Sequence, residues 1–331
     1  ELEAGVRSCV EEIYAESLAE IEKLSCLANT HRREVRVGIR MNPGEISWQD
    51  KVVMDQKPAA YGFDEADLEE AVHKIRISEN LEFCGINVYF GTQILSVDLL
   101  LGAYSYAFDI AAQVADAADR QLRTIDFSGG FGVPYYPNEK ELPLEDFACQ
   151  LQAIISQARQ HSGLERTRLV VEPGRYLVSE AGLYVTRVIA RKRSYGKEYL
   201  IVDGGIHHHL AATGNLGHVI KRNFPIAVAN RICEEHVEYM DIVGRQCSSL
   251  DTLARNAKLP AVCPGDTVVF FQSGAYARSV SPLGFRSHPA PPEVMVENGR
   301  ARLVRVGGDN SNVICGTCLD KNIWMQEQEN V

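Results

Sequence analysis

No apolar stretch in these 331 residues reaches the length of a membrane-spanning helix, so the sequence offers no such segment. Long basic runs are missing too. With 34 Lys and Arg against 44 Asp and Glu, the formal net charge is −10, which argues against nucleic acid or an anionic membrane as a partner. A small substrate or a protein partner is expected instead. The opening residues, ELEAGVRSCVEEIYAESLAEIEKL, are acidic where a secretory leader would be basic and then apolar. A cytoplasmic location is therefore expected. The nine cysteines are odd in number and scattered, which suits free thiols better than a disulfide framework. Only Cys315 and Cys318 form a CxxC, without further ligands at matching spacing, so no metal is expected. Internal repeats and low-complexity tracts are absent as well.

What is present divides into two regimes. Residues 14–29 and 64–80 have helical spacing, and Leu100, Tyr104, Ala107, Ala111 and Val114 line one face of a helix over 97–120. Between the helices lie short apolar runs: CVEEIYAES, VRVGIRMNP, FCGINVYFGT, TIDFSGGFG and RLVVEPGRY. Apolar strands that alternate with helices and end in Gly, Ser or Pro predict a parallel sheet covered on both faces. In a β/α barrel, the loops past the strands' carboxyl ends converge over one mouth and carry the chemistry. From about residue 182, AGLYVTRVIARKRS, KEYLIVDGG, VGRQCSSLD, DTVVFFQSGAY and PEVMVENGRARLVR read as strands joined by turns. The expected fold is α/β plus β: a β/α barrel over 1–181, a mostly antiparallel β domain over 182–306, and a loose tail over 307–331.

Three strand ends carry residues suited to an anion. SGGFG at 128–132 lets backbone N–H groups crowd a phosphate, FGTQ at 90–93 adds the Thr92 hydroxyl, and EPGR at 172–175 adds a fixed positive charge. Each by itself also reads as an ordinary turn. Glu172 beside such a cluster needs a protonated partner, because a desolvated, unpaired carboxylate is costly. A pyridinium nitrogen meets that need, since pyridoxal phosphate has a phosphate at one end and a ring nitrogen across from it. A structural ion pair between Glu172 and Arg175 is the competing explanation.

Taken in order, VYFGTQ, DFSGGFG, EPGRY, GRQCSSLD and QSGAYARSVSP resemble the signatures of the fold type III pyridoxal phosphate decarboxylases. That family includes the diaminopimelate, ornithine and arginine decarboxylases, with an alanine racemase-like barrel and a β domain. VDGGIHHHLAATGN and SPLGFRSHPAPPEV look most like a natural-product or exopolysaccharide-associated branch, whose substrates include amino acids joined to a carrier or acyl group. The resemblance implies Glu172 at the pyridine nitrogen and Gly129, Gly130, Gly174, Arg175 and Tyr276 at the phosphate. Thr92 stands where a phosphate-binding serine is usual, and Tyr89 where a histidine stacks on the cofactor ring. Cys247 matches the cysteine that returns a proton to Cα, reaching into a partner subunit's site, which implies a homodimer. Asp203 is expected to be structural. On a strand, His207, His208 and His209 could not all point one way, so a metal site is not expected there. His209 is assigned to the substrate's side chain.

The sequence departs from the family at three places. The family's Schiff-base lysine lies at the end of the first barrel strand, and no lysine here has that context; Lys57, in DQKPAAYGF, sits in a polar loop. The chain is therefore expected to lack the barrel's N-terminal part and to be inactive by itself. Ser248 replaces the acidic residue that holds a far ammonium in diamine-producing members, which favours a conjugated or carrier-linked amino acid as substrate. Ser128 replaces the first glycine of GGGFG. Decarboxylation is expected over racemisation, because alanine racemases place an arginine at the ring nitrogen. A racemase on the same cofactor, or a non-catalytic homologue lacking the lysine, remains the alternative.

Overall fold

The computed structural model describes residues 1–49, 51–54, 58–136, 138–214 and 222–308. Lys57, the Cys315 and Cys318 pair and the tail from 309 onward lie outside the described residues. The chain divides into two compact units, Glu1–Leu177 and Val178–Val331.

In the first unit the elements run α1 (Leu2–Arg7), β1 (Ile13–Ala15), α2 (Leu18–His31), β2 (Val35–Met41), β3 (Ile46–Trp48), β4 (Lys51–Met54), α3 (Leu68–Ile77), β5 (Leu81–Val88), α4 (Val97–Ala118), β6 (Thr124–Asp126), α5 (Leu144–Ala158), β7 (Arg168–Val170) and α6 (Gly174–Val178). Strands β1, β2, β5, β6 and β7 form one sheet in that order, every pair parallel. Strands β3 and β4 form a separate hairpin.

The sequence explains the main elements. Strand β5, LEFCGINV, is buried on both faces apart from Glu82, as expected of a strand between a helix layer and a core. Ser17 caps α2 by accepting the Glu20 N–H at 3.3 Å, and Glu20 reaches back to the Glu16 N–H at 2.7 Å. Ser96 caps α4 in the same way through the Leu99 N–H. Leu100, Tyr104, Ala107, Ala111 and Val114 are all buried along that helix. Strand β7 differs from expectation: it is an edge strand, so Leu169 and Val170 are only half-buried and Val171 is 47% exposed.

The sheet is strongly curved. Glu11 and Glu12, just ahead of β1, meet Arg123 and Arg168 at the starts of β6 and β7, although β2 and β5 lie between them in the sheet. At the opposite ends of the strands, aromatic packing braces the glycine loop. Phe127 stacks on Tyr104 with centroids 4.2 Å apart and an interplanar angle of 2°, while Phe131 meets Phe147 edge-on at 5.8 Å. Each such pair contributes about 0.5–1.5 kcal/mol beyond area burial. Residues 128–130 therefore hang between two anchored rings.

In the second unit come β8 (Tyr184–Ser194), β9 (Lys197–Val202), β10 (Ile226–Val228), β11 (Glu238–Val243), β12 (Thr252–Leu259), β13 (Thr267–Phe270), β14 (Glu293–Glu297) and β15 (Arg300–Arg305). Six of them form a sheet in the order β10-β13-β8-β9-β11-β12, antiparallel except for β9 with β11. Strands β14 and β15 pair as a separate hairpin. Two stretches expected on strands are turns instead. The segment from Gly244 to Leu250 connects β11 to β12, and His207–His209 lie in the turn after β9.

Candidate active site

Three loops at the carboxyl ends of β5, β6 and β7 are laced together. The Ile94 N–H donates to Gly130 O at 2.8 Å, and the Gly132 N–H donates to Ile94 O at 2.9 Å. The Glu172 N–H donates to Ser128 O at 2.6 Å. A Cβ on Gly129 would stand 2.4 Å from Glu172 O, and one on Gly130, whose φ is +102°, would stand 2.8 Å from Gly91 O. Glycine is thus required at both positions. Ser128 has a φ of +52°. Its N–H donates to Asp126 Oδ1 at 2.8 Å, and its hydroxyl accepts from Asn87 Nδ2 at 2.9 Å.

Arg175 reaches over this junction. Its Nη1 donates to the Tyr135 hydroxyl at 2.8 Å and its Nη2 to Thr92 Oγ1 at 3.3 Å. The structure therefore brings Thr92, Arg175 and the glycine loop together. Gly174 has no heavy atom within 4 Å of the place a Cβ would take, so the backbone there is open. Half-buried Tyr89 follows β5 directly, and the Arg40 guanidinium lies 6.0 Å from its ring centroid.

The electrostatics at the other end of the cluster are acidic. Glu172 has a raised pKa, first because burial disfavours its charge and then because Asp126 is close; Arg40 draws it back down. Asp126 is also raised by burial, against the bonds from Ser128 and Asn87. A carboxylate whose ionisation is hindered by burial and a neighbouring acid suits a cationic N–H placed against it. Pyridoxal phosphate fits this donor set: an anion meets the glycine N–H groups, Thr92 and Arg175, and a protonated ring nitrogen meets the carboxylates. Asp126 and Asn87 were not singled out from sequence, although DFSGGFG contains Asp126 at the strand's last position. The first residue of a glycine motif is easily read as strand rather than site.

The second unit holds the other candidates. Asp203 is structural: its Oδ1 accepts from the Thr186 hydroxyl at 2.6 Å and the Arg187 N–H at 2.8 Å. His209 is buried, its ring bonded to the Ser273 hydroxyl at 2.9 Å and to the Ala212 N–H at 3.3 Å. Both of its nitrogens hold the fold. Cys247 is exposed, and the Ser248 hydroxyl beside it accepts the Leu250 N–H at 3.2 Å. Tyr276 is 39% exposed and has a φ of +57°.

Asp251 shapes the turn that carries Cys247. It is 2% exposed, accepts the Ile206 N–H on Oδ1 at 2.6 Å and accepts the Gln246 N–H on Oδ2 at 2.7 Å. Two loops far apart in sequence are pinned to one carboxylate. Only its position at the end of GRQCSSLD, just before an apolar strand, could have marked it as a turn-maker.

Comparison with known proteins identifies the family. The family described as "Pyridoxal-dependent decarboxylase, pyridoxal binding domain" matches residues 1–179, and "Pyridoxal-dependent decarboxylase, C-terminal sheet domain" matches residues 106–274. The L-glutamyl-[BtrI acyl-carrier protein] decarboxylase of Niallia circulans is 34% identical over 317 residues, covering 95% of this chain and 74% of that protein. The diaminopimelate decarboxylase of Methanothermobacter thermautotrophicus is 31% identical, covering 95% of this chain and 70% of its own. Among solved structures, diaminopimelate decarboxylase from Helicobacter pylori complexed with L-lysine aligns with a TM-score of 0.78 at 26% identity, over 100% of this chain and 76% of that one. The enzyme of the same name from M. jannaschii shares the fold, with a TM-score of 0.84 at 19% identity, over 97% of this chain and 72% of that one. One expectation is overturned. The chain was expected to lack the N-terminal part of the pyridoxal-binding domain, with its Schiff-base lysine; the match to that domain takes in residues 1–179.

Proposed function

From the pyridoxal-dependent decarboxylases, the family to which this chain belongs, we propose a specific activity: decarboxylation of an amino acid whose side chain is amidated, acylated or carrier-linked. The family sets the coarser statement, a carboxy-lyase acting on amino acids with pyridoxal phosphate as cofactor. The finer reading rests on Ser248, a hydroxyl beside Cys247 where an acid would be needed to hold a free distal ammonium. The Niallia relative, named for a glutamyl group on an acyl-carrier protein, supports the same substrate class.

Pyridoxal phosphate, when bound, supplies the electron sink for the pair left by departing carbon dioxide. The protein's part is to hold and polarise. Gly129, Gly130, Gly174, Thr92 and Arg175 would bind the phosphate, with Arg175 already aimed beside Thr92. Glu172 would keep a proton on the ring nitrogen, its own ionisation favoured once that cation arrives. The Tyr89 ring would cover the cofactor's face. The roles given to the second unit, Tyr276 as a phosphate donor and Cys247 as the thiol that returns a proton to Cα in a partner subunit's site, rest on their motifs. A homodimer follows from that role for Cys247.

Ser248 carries the substrate reading, and the cofactor's placement is supported by the junction of three strand ends, where glycine is obligatory at 129 and 130 and Arg175 stands over the loop. The test is a screen of conjugated and free amino acids with the cofactor-loaded chain, read as loss of one carbon dioxide by product mass. Conjugated substrates should be turned over and free ornithine, lysine or diaminopimelate should not. In the same assay Glu172→Gln should slow turnover by orders of magnitude while most cofactor binding persists. Full turnover by that variant would remove Glu172 from the mechanism.

A further inference from the structure

We infer that one face of the second unit's sheet, where β8, β9, β11 and β12 lie side by side, docks the body of an acidic carrier protein that brings the amino acid on its arm. The inference deepens the conjugated-substrate reading and rests on it. Of the conjugates that reading admits, only a carrier has a protein surface to be recognised.

Strand register sorts the charges at this end of the sheet. Residues paired across neighbouring strands share a face, and Lys192 pairs with Tyr199, Tyr199 with Asp241, and Tyr239 with Lys258. Lys197 joins that face, its Nζ 5.5 Å from the Tyr199 ring centroid and 2.6 Å from Asp241 Oδ2. Arg191 belongs to the opposite face: it pairs with fully buried Leu200 and holds Glu198 at 3.0 Å and Glu238 at 2.8 Å. The charges there are matched. On the lysine face the acid from these strands is Asp241, which is 2% exposed and engaged by Lys197 and by the Asn256 N–H at 2.7 Å. Lys192 and Lys258 are exposed and meet no carboxylate among the described residues. Two unmatched cations therefore share one face of a chain whose formal net charge is −10.

The face also shows apolar surface. Tyr239 is 56% exposed, and Val237, two residues before it, is exposed as well. At the tip of the β8–β9 hairpin, Tyr195 and Gly196 form a two-residue turn with φ of +46° and +82°. Positive φ at both central positions favours Asn-Gly. A tyrosine is a poor choice for that turn, and here its ring is fully exposed, so neither turn geometry nor burial accounts for it. Rigid aromatic rings among lysines suit an acidic protein surface: the rings supply contact area at little entropic cost, and the lysines draw the partner in from solution. Nucleic acid would call for a far more basic chain.

The experiment uses the cofactor-loaded full chain and two probes that hold glutamate through its side-chain carboxyl as a thioester. One places it on the phosphopantetheine arm of an acidic acyl-carrier protein, the other on pantetheine alone. The kcat/KM for the carrier-borne group should exceed that for the pantetheine thioester by about tenfold to a hundredfold, chiefly through KM. Raising NaCl from about 50 to about 500 mM should remove most of that preference and leave pantetheine thioester turnover unchanged. In the double variant Lys192→Glu, Lys258→Glu, the Kd for the carrier with its arm empty should rise about tenfold or more by calorimetry, with pantetheine thioester turnover again unchanged. Tyr195→Ala should raise that Kd about fivefold. A preference that survives the double charge reversal, or no preference for the carrier at all, would overturn the inference while leaving the conjugated-substrate reading intact. Sedimentation showing that the double variant loses a dimer while carrier binding holds would give the face to a second copy, and overturn it likewise. If neither thioester reacts but free ornithine or diaminopimelate does, both readings fall together.

Discussion

Replacing Asp251 by asparagine keeps the shape of the side chain but removes its charge and one of its two acceptors. The Gln246 and Ile206 N–H groups now share one carboxylate at 2.7 and 2.6 Å, and an asparagine oxygen can serve only one of them. The other N–H would face an amide N–H₂ in a buried position. A Cβ on Gly244 would lie 2.3 Å from Asp251 Oδ2, so the carboxylate is seated too closely for a water to fill in. Losing one charge-assisted bond costs about 1.5–3 kcal/mol and orphaning a buried donor adds to it. Relief of a desolvated charge offsets part of this, since burial raises the Asp251 pKa. The net loss should be about 2–3 kcal/mol, or roughly 5–10 °C in the melting of the second unit. Scanning calorimetry of the variant, with absorbance to follow cofactor content, measures both halves of the argument: the second unit should melt early while cofactor is retained, and kcat should fall because the Cys247 turn has lost its anchor. A variant that melts within about 1 °C of the parent and keeps its kcat would refute the two-loop knot.

Three further outcomes are expected. Glu172 has a folded-state pKa above its unfolded one, so its charge destabilises the cofactor-free chain above that raised value, and the penalty is absent below the ordinary carboxylate range. The melting temperature should therefore fall as pH rises through that window, and Glu172→Gln should flatten the fall; thermal melts from acid to neutral pH check the slope. Arg175→Ala should weaken cofactor binding by about tenfold to a hundredfold in a fluorescence titration, the size of one charge-assisted contact, and an unchanged affinity would remove Arg175 from the phosphate site. Cys247→Ala should lower kcat by about a hundredfold or more with cofactor affinity unchanged, as expected for loss of a proton donor; undiminished turnover would assign that proton to another group.

Much of the first unit was legible because burial on both faces leaves a plain signal. The five apolar runs became β1, β2, β5, β6 and β7, and the 3.6-residue pattern over 97–120 became α4. Helix α5 was readable but not singled out: Phe147, Leu151, Ile154, Ile155 and Ala158 form an apolar stripe at helical spacing, although only Phe147 is fully buried and the others pack half-buried against the core. Strand β12 was hidden by irregularity: Asn256 sits at φ +46° and the register with β11 shifts around it, so the two-residue alternation breaks. The segment VGRQCSSLD had strand-like ends and was expected to continue as strand. Asp251 and Ser248 instead bond to nearby backbone N–H groups, and such side chains offer the chain an alternative to a ladder.

The same contrast explains which parts of the site could be read. Glycines at 129 and 130, the hydroxyl at Thr92 and the charge at Arg175 announce themselves locally, because a turn that must admit an anion needs those residue types in the turn itself. The pairings made across loops do not. Asp126 acts on Glu172 across two strand ends, and His207 meets Gln246 across a turn pinned by Asp251. Neither partner carries a mark in its own neighbourhood, since what matters is a burial and an angle that only the folded chain supplies. The first pairing also leaves something unsatisfied, a hindered ionisation. Buried polar groups are paired wherever the fold alone decides. The hindered ionisation of Glu172 is therefore best explained by a ligand group that completes it, a cationic ring nitrogen.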